Sequence, residues 1–321
     1  MEYKISVCVP IYNVEKYFEQ CLESLFTQTM LDGVEFVFVN DCTPDSSMTI
    51  LQRTLQKYPA LREQVVICNH EQNRGLAAAR NTALELSHGE YIIHVDSDDW
   101  VESNFLQEQY SDIVSDDYDV CICGFVGKQK SKKKILNCKE AKKKLFGQKG
   151  TGAYSFLRII KKEILVGMRY DTSISYLEDT DFFYRLYEKC NKILWTNKSL
   201  YNYYINPLSV TRQKGFTRQK MSMFYTIDRL YEDEIDEELK EILFSSSIRV
   251  KTSECIRFLV STNDFNDKEF SKIKSQLVEK INHIILSKKL EIRYKVCLWI
   301  ILSIKDYEKS LIIKFLRKVK R

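Results

Sequence analysis

Glycine and proline are both scarce, 10 and 4 in 321 residues, against average usage of roughly 7% and 5%. That excludes collagen-like repeats, proline-rich linkers and low-complexity disorder. No C-x-x-C pair occurs among the ten cysteines, and Cys8, Cys68, Cys121 and Cys123 sit inside apolar, strand-like runs. Buried free thiols in a reducing cytoplasm are therefore expected, not a disulfide framework. The four histidines, His70, His88, His94 and His283, lack metal-ligand spacing, and His94 alternates with apolar neighbours as a satisfied core histidine would. Nucleotide signatures of the common kinds are missing. The single G-x-G is Gly150-Thr-Gly152 with Ser155 where a third glycine belongs, and no G-x-x-x-x-G-K occurs, which disfavours a dinucleotide fold or a P-loop. Met1 to Ser6 lead straight into an apolar strand pattern, so no secretory signal is expected.

What is present is a regular alternation of two periods over the first 125 residues. Ile5 to Val9, Val34 to Val39, Val65 to Cys68, Tyr91 to Val95 and Val120 to Cys123 are short apolar runs rich in β-branched residues, as strands are. Helical faces lie between them, for example Tyr17, Cys21, Leu22, Leu25 and Phe26. A β-α series with continuously apolar strands implies an α/β fold with a mainly parallel central sheet covered by helices on both faces. After Gly124 a lysine cluster from Lys128 to Lys144 suggests a solvated insertion; without interleaved aromatics it gives no ground for a nucleic-acid partner. Helical patterns are expected around Ala153 to Ile164 and Thr180 to Cys190, then short strands at Ile193 to Thr196 and Tyr201 to Ile205. From Phe216 on, nearly everything has helical spacing. The expected domains are 1–215 and a helical C-terminal region, 216–321.

In an open parallel sheet, ligands gather at the carboxyl ends of the strands. Polar clusters stand at those ends: Pro10-Ile11-Tyr12-Asn13, Asn40-Asp41-Cys42-Thr43-Pro44-Asp45, Asn69 with Asn73-Arg74-Gly75 shortly after, and Asp96-Ser97-Asp98-Asp99. D-x-D recurs at Asp117/Asp119 and Asp179/Asp181, but only Asp96/Asp98 follows an apolar strand. Three carboxylates on a tight turn repel one another unless a hard divalent cation or many donors offset the charge, and Mg²⁺ or Mn²⁺ completed by substrate phosphates fits. An acidic turn capping the helix that begins near Glu102 is the alternative.

Six segments resemble, in order and spacing, the signature of family 2 inverting glycosyltransferases with the GT-A fold, of the bacterial cell-surface polysaccharide type. They are Ile5-Ser-Val-Cys-Val-Pro-Ile-Tyr-Asn-Val-Glu15, Phe38-Val-Asn-Asp41-Cys-Thr-Pro-Asp45, Asn73-Arg-Gly75-Leu-Ala-Ala-Ala-Arg80-Asn81, Gly89-Glu-Tyr-Ile, Asp96-Ser-Asp98-Asp99-Trp100 and Glu178-Asp179-Thr-Asp-Phe182. The resemblance implies that Pro10, Tyr12, Asn13 and Glu15 hold the nucleotide's base and ribose and that Asp41 bonds the uracil of a UDP-sugar. It also implies that Arg80 lies near nucleotide and acidic turn, that Asp96 and Ser97 face ribose and diphosphate, and that Asp98 binds Mg²⁺ or Mn²⁺. Asp179 matches the general base that activates an acceptor hydroxyl, with Glu178 and Asp181 as substitutes; helix capping is the plain alternative for this acidic pair. For Asn73, Gly75 and Asn81, packing and ligand contact stand equal. Departures are Cys42 where the family has glycine, which suggests an altered base-binding loop, the absent Trp before Arg158, and Ile205 where arginine is common.

Expected partners are thus a nucleotide-sugar donor and a glycan or lipid-linked acceptor. A non-catalytic sugar-nucleotide binder and a basic membrane-surface adaptor are the competing classes. The second draws on Lys288 to Arg321, where eleven Lys or Arg face three acids. Val296 to Ile304 is apolar but shorter than the roughly 20 residues a bilayer span needs, and Leu311, Ile312, Phe315, Leu316 and Val319 recur at helical spacing opposite basic residues. The expectation is a cytoplasmic protein in peripheral contact with an anionic membrane, or the same helices packed as core.

Overall fold

A computed structural model of the chain describes residues 2–127, 133–146, 154–204, 222–261 and 268–303. The chain divides into two compact units, Met1–Ser209 and Val210–Arg321; the boundary expected near 215 lies outside the described residues.

The first unit is built on strands β1 (Ile5–Ile11), β2 (Val34–Asn40), β3 (Val65–Asn69), β4 (Tyr91–His94), β5 (Trp100–Val101), β6 (Val120–Phe125), β7 (Lys134–Leu136), β8 (Arg158–Lys161) and β9 (Ile193–Asn202). They form one sheet in the order β3-β2-β1-β4-β8-β6-β9-β5, with β7 also paired to β9. All five strands expected from the apolar runs are present. β1 is buried along its whole length, as a central parallel strand covered on both faces must be. Helices α1 (Phe18–Phe26), α2 (Ser47–Lys57), α3 (Leu76–Leu86) and α4 (Phe105–Val114) make the crossovers; α3 packs on β1 and β2. Gly89, in the Gly-Glu-Tyr-Ile segment, lies so close to β1 that a Cβ would sit 2.5 Å from the Ser6 nitrogen. That motif's glycine therefore serves sheet packing.

Three expectations are corrected. Residues 154–165 are not helical: β8 runs there, flanked by 3-10 turns at Ser155–Leu157 and Lys162–Leu165. β8 pairs antiparallel with β4 (Ile93↔Ile159, Ile92↔Ile160) and with β6 (Cys121↔Ile159, Val120↔Ile160). Burying two adjacent β-branched residues between strands outweighs the helical spacing of the flanking residues. Because β8 reverses direction between them, β4 and β6 still run the same way, and β9 is parallel to β6. The lysine-rich stretch, secondly, is not a bare insertion where it is described. It contributes β7 and α5 (Cys138–Leu145), the latter opened by an Asn137/Glu140 capping box. Lys142 is buried, 2.8 Å from Glu188 and 4.0 Å above the Tyr184 ring, and Lys144 lies 3.5 Å above Trp195. Aliphatic stems carrying charge onto aromatic faces are how lysines enter such packing. Lys128, Lys130 and Lys132 lie outside the described residues. The short strands expected at Ile193–Thr196 and from Tyr201 are one continuous strand, β9.

All ten cysteines are free; Cys8, Cys121 and Cys123 are buried, whereas Cys68 is half-buried. His94 is in the core, yet neither ring nitrogen has a hydrogen-bond partner among the described residues. Its ring packs edge-on to Tyr170 at 5.7 Å. Burial and the neighbouring Arg80 charge push its pKa down to about 3, so it is a neutral apolar-like filler.

The second unit consists, among its described residues, of helices α7 (Ser222–Asp233), α8 (Glu237–Ser261), α9 (Lys268–Glu279), α10 (Ile281–Leu286) and α11 (Ile292–Ser303). Their shared core includes Phe244, Ile248, Leu277, Ile284, Leu298 and Ile301. α11 thus packs as core through one face, while Ile292, Val296 and Trp299 on it stay exposed, Trp299 at 70%. No helix among the described residues is long and apolar enough to cross a membrane; residues 304–321 lie outside the description.

Candidate active site

The strand ends of β1, β2 and β3 are laced together by their own side chains. The Asn13 N–H donates to Thr43 Oγ1 at 2.8 Å and the Glu15 N–H to Asp45 Oδ2 at 2.8 Å, while the Ser46 N–H donates to Glu15 Oε2 at 3.0 Å. Glu15 is therefore a clasp between the β1 and β2 loops. Asn13 takes a left-handed φ of 56°, which lifts the loop and leaves Tyr12 beside it 48% exposed; Pro10 is buried within β1. Tyr12 is the ring this end of the sheet offers for stacking.

Asp41 is buried, and its carboxylate is already engaged. Oδ1 accepts the Arg74 N–H and Oδ2 the Gly75 N–H, both at 2.8 Å, and His70 Nδ1 lies 2.7 Å from Oδ1. Three of the roughly four acceptor positions of a carboxylate are used in holding the loop before α3. Gly75, at φ 87°, turns the chain into that helix. Asn73 donates to the Asp41 carbonyl at 3.3 Å, and Asn81 clamps the Tyr170 backbone through two 2.8 Å bonds. Asn73, Gly75 and Asn81 thus each have a packing duty.

Arg80, on α3, is the hub. It is 2% exposed, with one guanidinium nitrogen 2.8 Å from Glu178 Oε1 and the other 3.2 Å from Asp96 Oδ1. Its face lies 5.5 Å from the Tyr170 ring. Burial works against its charge, but Asp96 and Glu178 more than offset this and hold its pKa above the ordinary arginine value. One side chain therefore joins the acidic turn after β4 to the start of α6 (Glu178–Leu186).

Within the acidic turn the three carboxylates have different duties. Asp96 faces Arg80. Asp99 is buried; Oδ2 accepts the Tyr201 hydroxyl at 2.9 Å and Oδ1 the Tyr204 N–H at 2.7 Å, while the Tyr201 oxygen accepts the Asp96 N–H at 3.1 Å. Burial and the charge of Asp96 push the Asp99 pKa up. Ser97 is buried between them and Asp98 is half-buried. Among the described residues no group of three or more His, Cys, Asp or Glu is arranged to hold a metal. The turn does not make a cage, but its crowded negative charge suits a hard cation whose remaining ligands are phosphate oxygens.

At the start of α6 the three acids also separate. Glu178 is tied to Arg80. Asp181 is fully buried and ion-paired with Arg185 at 2.7 Å. Asp179 is half-buried, its Oδ1 accepting the neighbouring Thr180 N–H at 2.8 Å. Loss of water and the Glu178 charge push its pKa up to about 7, with Arg80 and Arg158 opposing.

Three pairings escaped the sequence reading: His70 with Asp41, Glu178 with Arg80, and Asp99 with Tyr201. Glu178 and Asp99 were singled out for other duties, and His70 stands directly after the β3 end. Ile205 and the segment to Thr211 lie outside the described residues.

The profile "Glycosyl transferase family 2" matches residues 6–177, and the chain belongs to that family. It is 31% identical over 221 residues to EpsJ of Bacillus subtilis (strain 168), described as an uncharacterized glycosyltransferase, covering 64% of this chain and 62% of that protein. It is 29% identical over 226 residues to glycosyltransferase GlyA of Streptococcus pneumoniae serotype 4, covering 65% of this chain and 32% of GlyA. The chain thus spans less than two thirds of the length of these two relatives. Among solved structures, S. aureus TarS 1–349 superposes with a TM-score of 0.68 at 18% identity, covering 99% of this chain and 92% of that one. The fold is the GT-A glycosyltransferase fold.

Cys42, which replaces the family's glycine, takes φ 57°, so the loop keeps the backbone a glycine would give it. A side chain in that region costs about 1–2 kcal/mol, partly offset by the looser unfolded chain that glycine brings. Cys42→Gly is expected to raise the melting temperature by a few degrees, and the β-branched Cys42→Val to lower it, in a calorimetric comparison.

Proposed function

We propose that this protein transfers a sugar, with inversion, from a nucleotide donor, UDP-linked, to a hydroxyl of a glycan or lipid-linked glycan in cell-surface polysaccharide synthesis. The observation that carries this reading is the Arg80 bridge. It sets the one acid at the start of α6 that has no ion pair among the described residues, Asp179, beside the turn that would face the donor's diphosphate.

An inverting transfer is a single displacement at the anomeric carbon, and the attacking hydroxyl needs a base. Asp179, poised near neutrality, takes that proton. Glu178 and Asp181, each held by an arginine, are poorly placed to do so. Tyr12 and the laced β1 and β2 loops receive base and ribose; Asp41 keeps the loops in register and has one acceptor position left for the base. UDP as carrier is favoured by the fold match, since TarS 1–349 has been solved with UDP and with UDP-GlcNAc. Asp98, with the donor's phosphates, would hold Mg²⁺ or Mn²⁺, which neutralises charge on the departing diphosphate when bound.

Peripheral membrane contact belongs to the same reading. Ile285, Leu286, Ile292, Val296 and Trp299 are exposed in the second unit, interspersed with Lys288, Lys289, Arg293 and Lys295. Apolar side chains among cations suit an anionic bilayer surface, where each nearby Lys or Arg adds about 1 kcal/mol.

Asp179→Asn should lower turnover by about 10² or more while UDP affinity, measured calorimetrically, stays near wild type. In the wild type, the rate should rise as pH increases through about 7 and fall below it, because only the ionised carboxylate can accept a proton; the variant should lose this limb. Normal turnover by Asp179→Asn would reject the assigned base.

Asp98→Ala should weaken UDP binding at least tenfold in Mn²⁺ and leave it unaltered in excess EDTA, with EDTA abolishing wild-type transfer. Equal wild-type activity with and without chelator would remove the metal.

For the membrane, truncation after Ser287 is unsuitable, since Leu290, Leu298 and Ile301 are core. Sedimentation with phosphatidylglycerol vesicles, weakening with salt and lost in Trp299→Ala/Ile292→Ala, is expected. A full-length protein that ignores such vesicles would end this part of the reading.

A further inference from the structure

Besides the Arg80 bridge, a second buried link joins a strand end to α3, and it runs through His70. The parallel ladder of β1, β2 and β3 continues one residue past the strands. The Asp41 N–H donates to the Ile11 carbonyl at 3.0 Å and the His70 N–H to the Asn40 carbonyl at 2.9 Å. Asp41 and His70 are therefore fixed side by side by their backbones, with side chains only 4% and 5% exposed. The His70 ring uses both of its nitrogens. Nδ1 lies 2.7 Å from Asp41 Oδ1, and Nε2 lies 2.9 Å from Thr82 Oγ1. Thr82 stands on α3, two residues beyond Arg80.

A carboxylate only accepts, so the contact with Asp41 requires the proton on Nδ1, while a threonine hydroxyl can serve Nε2 in either role. What one ring nitrogen binds fixes the orientation of the other, and the Thr82 contact thereby aims Nδ1–H at Asp41. Oδ1 also takes the Arg74 N–H, whereas Oδ2 takes the Gly75 N–H. The acceptor position that Asp41 has left among the described residues is therefore on Oδ2.

We infer that His70 is a positioning residue that sets which nucleobase the crevice accepts, by holding Asp41 as a fixed, acceptor-only group. This rests on the transferase reading above and names the base class of its donor: one with a ring N–H, as uracil has, and not one with a bare ring nitrogen in the same place, as cytosine has. A carboxylate lone pair facing a ring N–H gains a charge-assisted hydrogen bond; facing a ring lone pair it meets repulsion and stays unpaired. Without the Nδ1 donor, a buried carboxylate loses one of its three partners. It relieves that cost by rotating or by taking a proton, and either change removes the acceptor on which the selection depends.

The test titrates the full chain calorimetrically with UDP and with CDP. The wild type should bind UDP about tenfold or more tightly than CDP. Asn and Gln separate the two ends of the ring. In His70→Asn the amide nitrogen stands where Nδ1 stood and reaches Asp41; in His70→Gln it stands where Nε2 stood and reaches Thr82. His70→Asn should therefore keep most of the preference for UDP, while His70→Gln and His70→Leu should reduce it about tenfold, toward parity. A residue that only filled space would not separate Asn from Gln, and equal preference in these two would overturn the inference. A wild-type melting temperature shows that the variants fold. Independently of any variant's folding, long-range ¹H–¹⁵N spectra of the wild type should show His70 Nδ1 protonated, and a bare Nδ1 would overturn the inference as well. A wild type that binds CDP as tightly as UDP would end the base selection and leave sugar transfer standing. Absence of binding of either nucleotide, with no turnover of any nucleotide sugar, would instead strike the transferase reading itself.

Discussion

A single buried guanidinium holds two acidic segments at the sheet edge together. Arg80 lies on a crossover helix, far in sequence from Glu178, yet bridges it to Asp96 at the end of a strand. Removing one partner from such a buried pair costs about 3–5 kcal/mol, because the remaining charge is stranded. The net stabilisation from the intact bridge is much smaller, and its main consequence is geometric. Two acidic segments that would repel one another are held on opposite sides of one cation. Asp179 is thereby placed next to the acidic turn without being neutralised by an ion pair of its own.

The same logic separates roles among neighbouring acids elsewhere. In the turn after β4, Asp96 answers to Arg80 and Asp99 to Tyr201 and the Tyr204 amide. At the start of α6, Glu178 and Asp181 are each taken by an arginine. Local partners decide which carboxylate is ion-paired or bonded and which is not, so a cluster of identical residue types resolves into distinct environments. Asp41 shows the converse case, a site residue whose first duty is to hold a loop. His70 and two backbone amides use most of its capacity, and they tie the β2 end to the loop before α3.

The other half of the sheet depends on strand order. β8 enters between β4 and β6 from the opposite direction, and this brings three distant segments together in one sheet. Helical spacing in residues 153–164 gave no hint of it, since Ile159 and Ile160 are chosen by their neighbours in the sheet and not by local propensity.

The parallel strands, their helical crossovers and the polar clusters at their carboxyl ends were legible from residue pattern, because period and β-branching act over a few neighbours. So were the family's ordered motifs, and the chain belongs to that family. The partners were not legible. That Arg80 would face Glu178 as well as Asp96, that Asp99 would be bonded by Tyr201, and that Lys142 would be buried against Tyr184 all depend on segments about 40 to 100 residues apart meeting in space. Sequence period specifies which residues want burial; only the closed tertiary packing decides which charges and rings are near enough to pair, since those interactions fall off within a few ångströms.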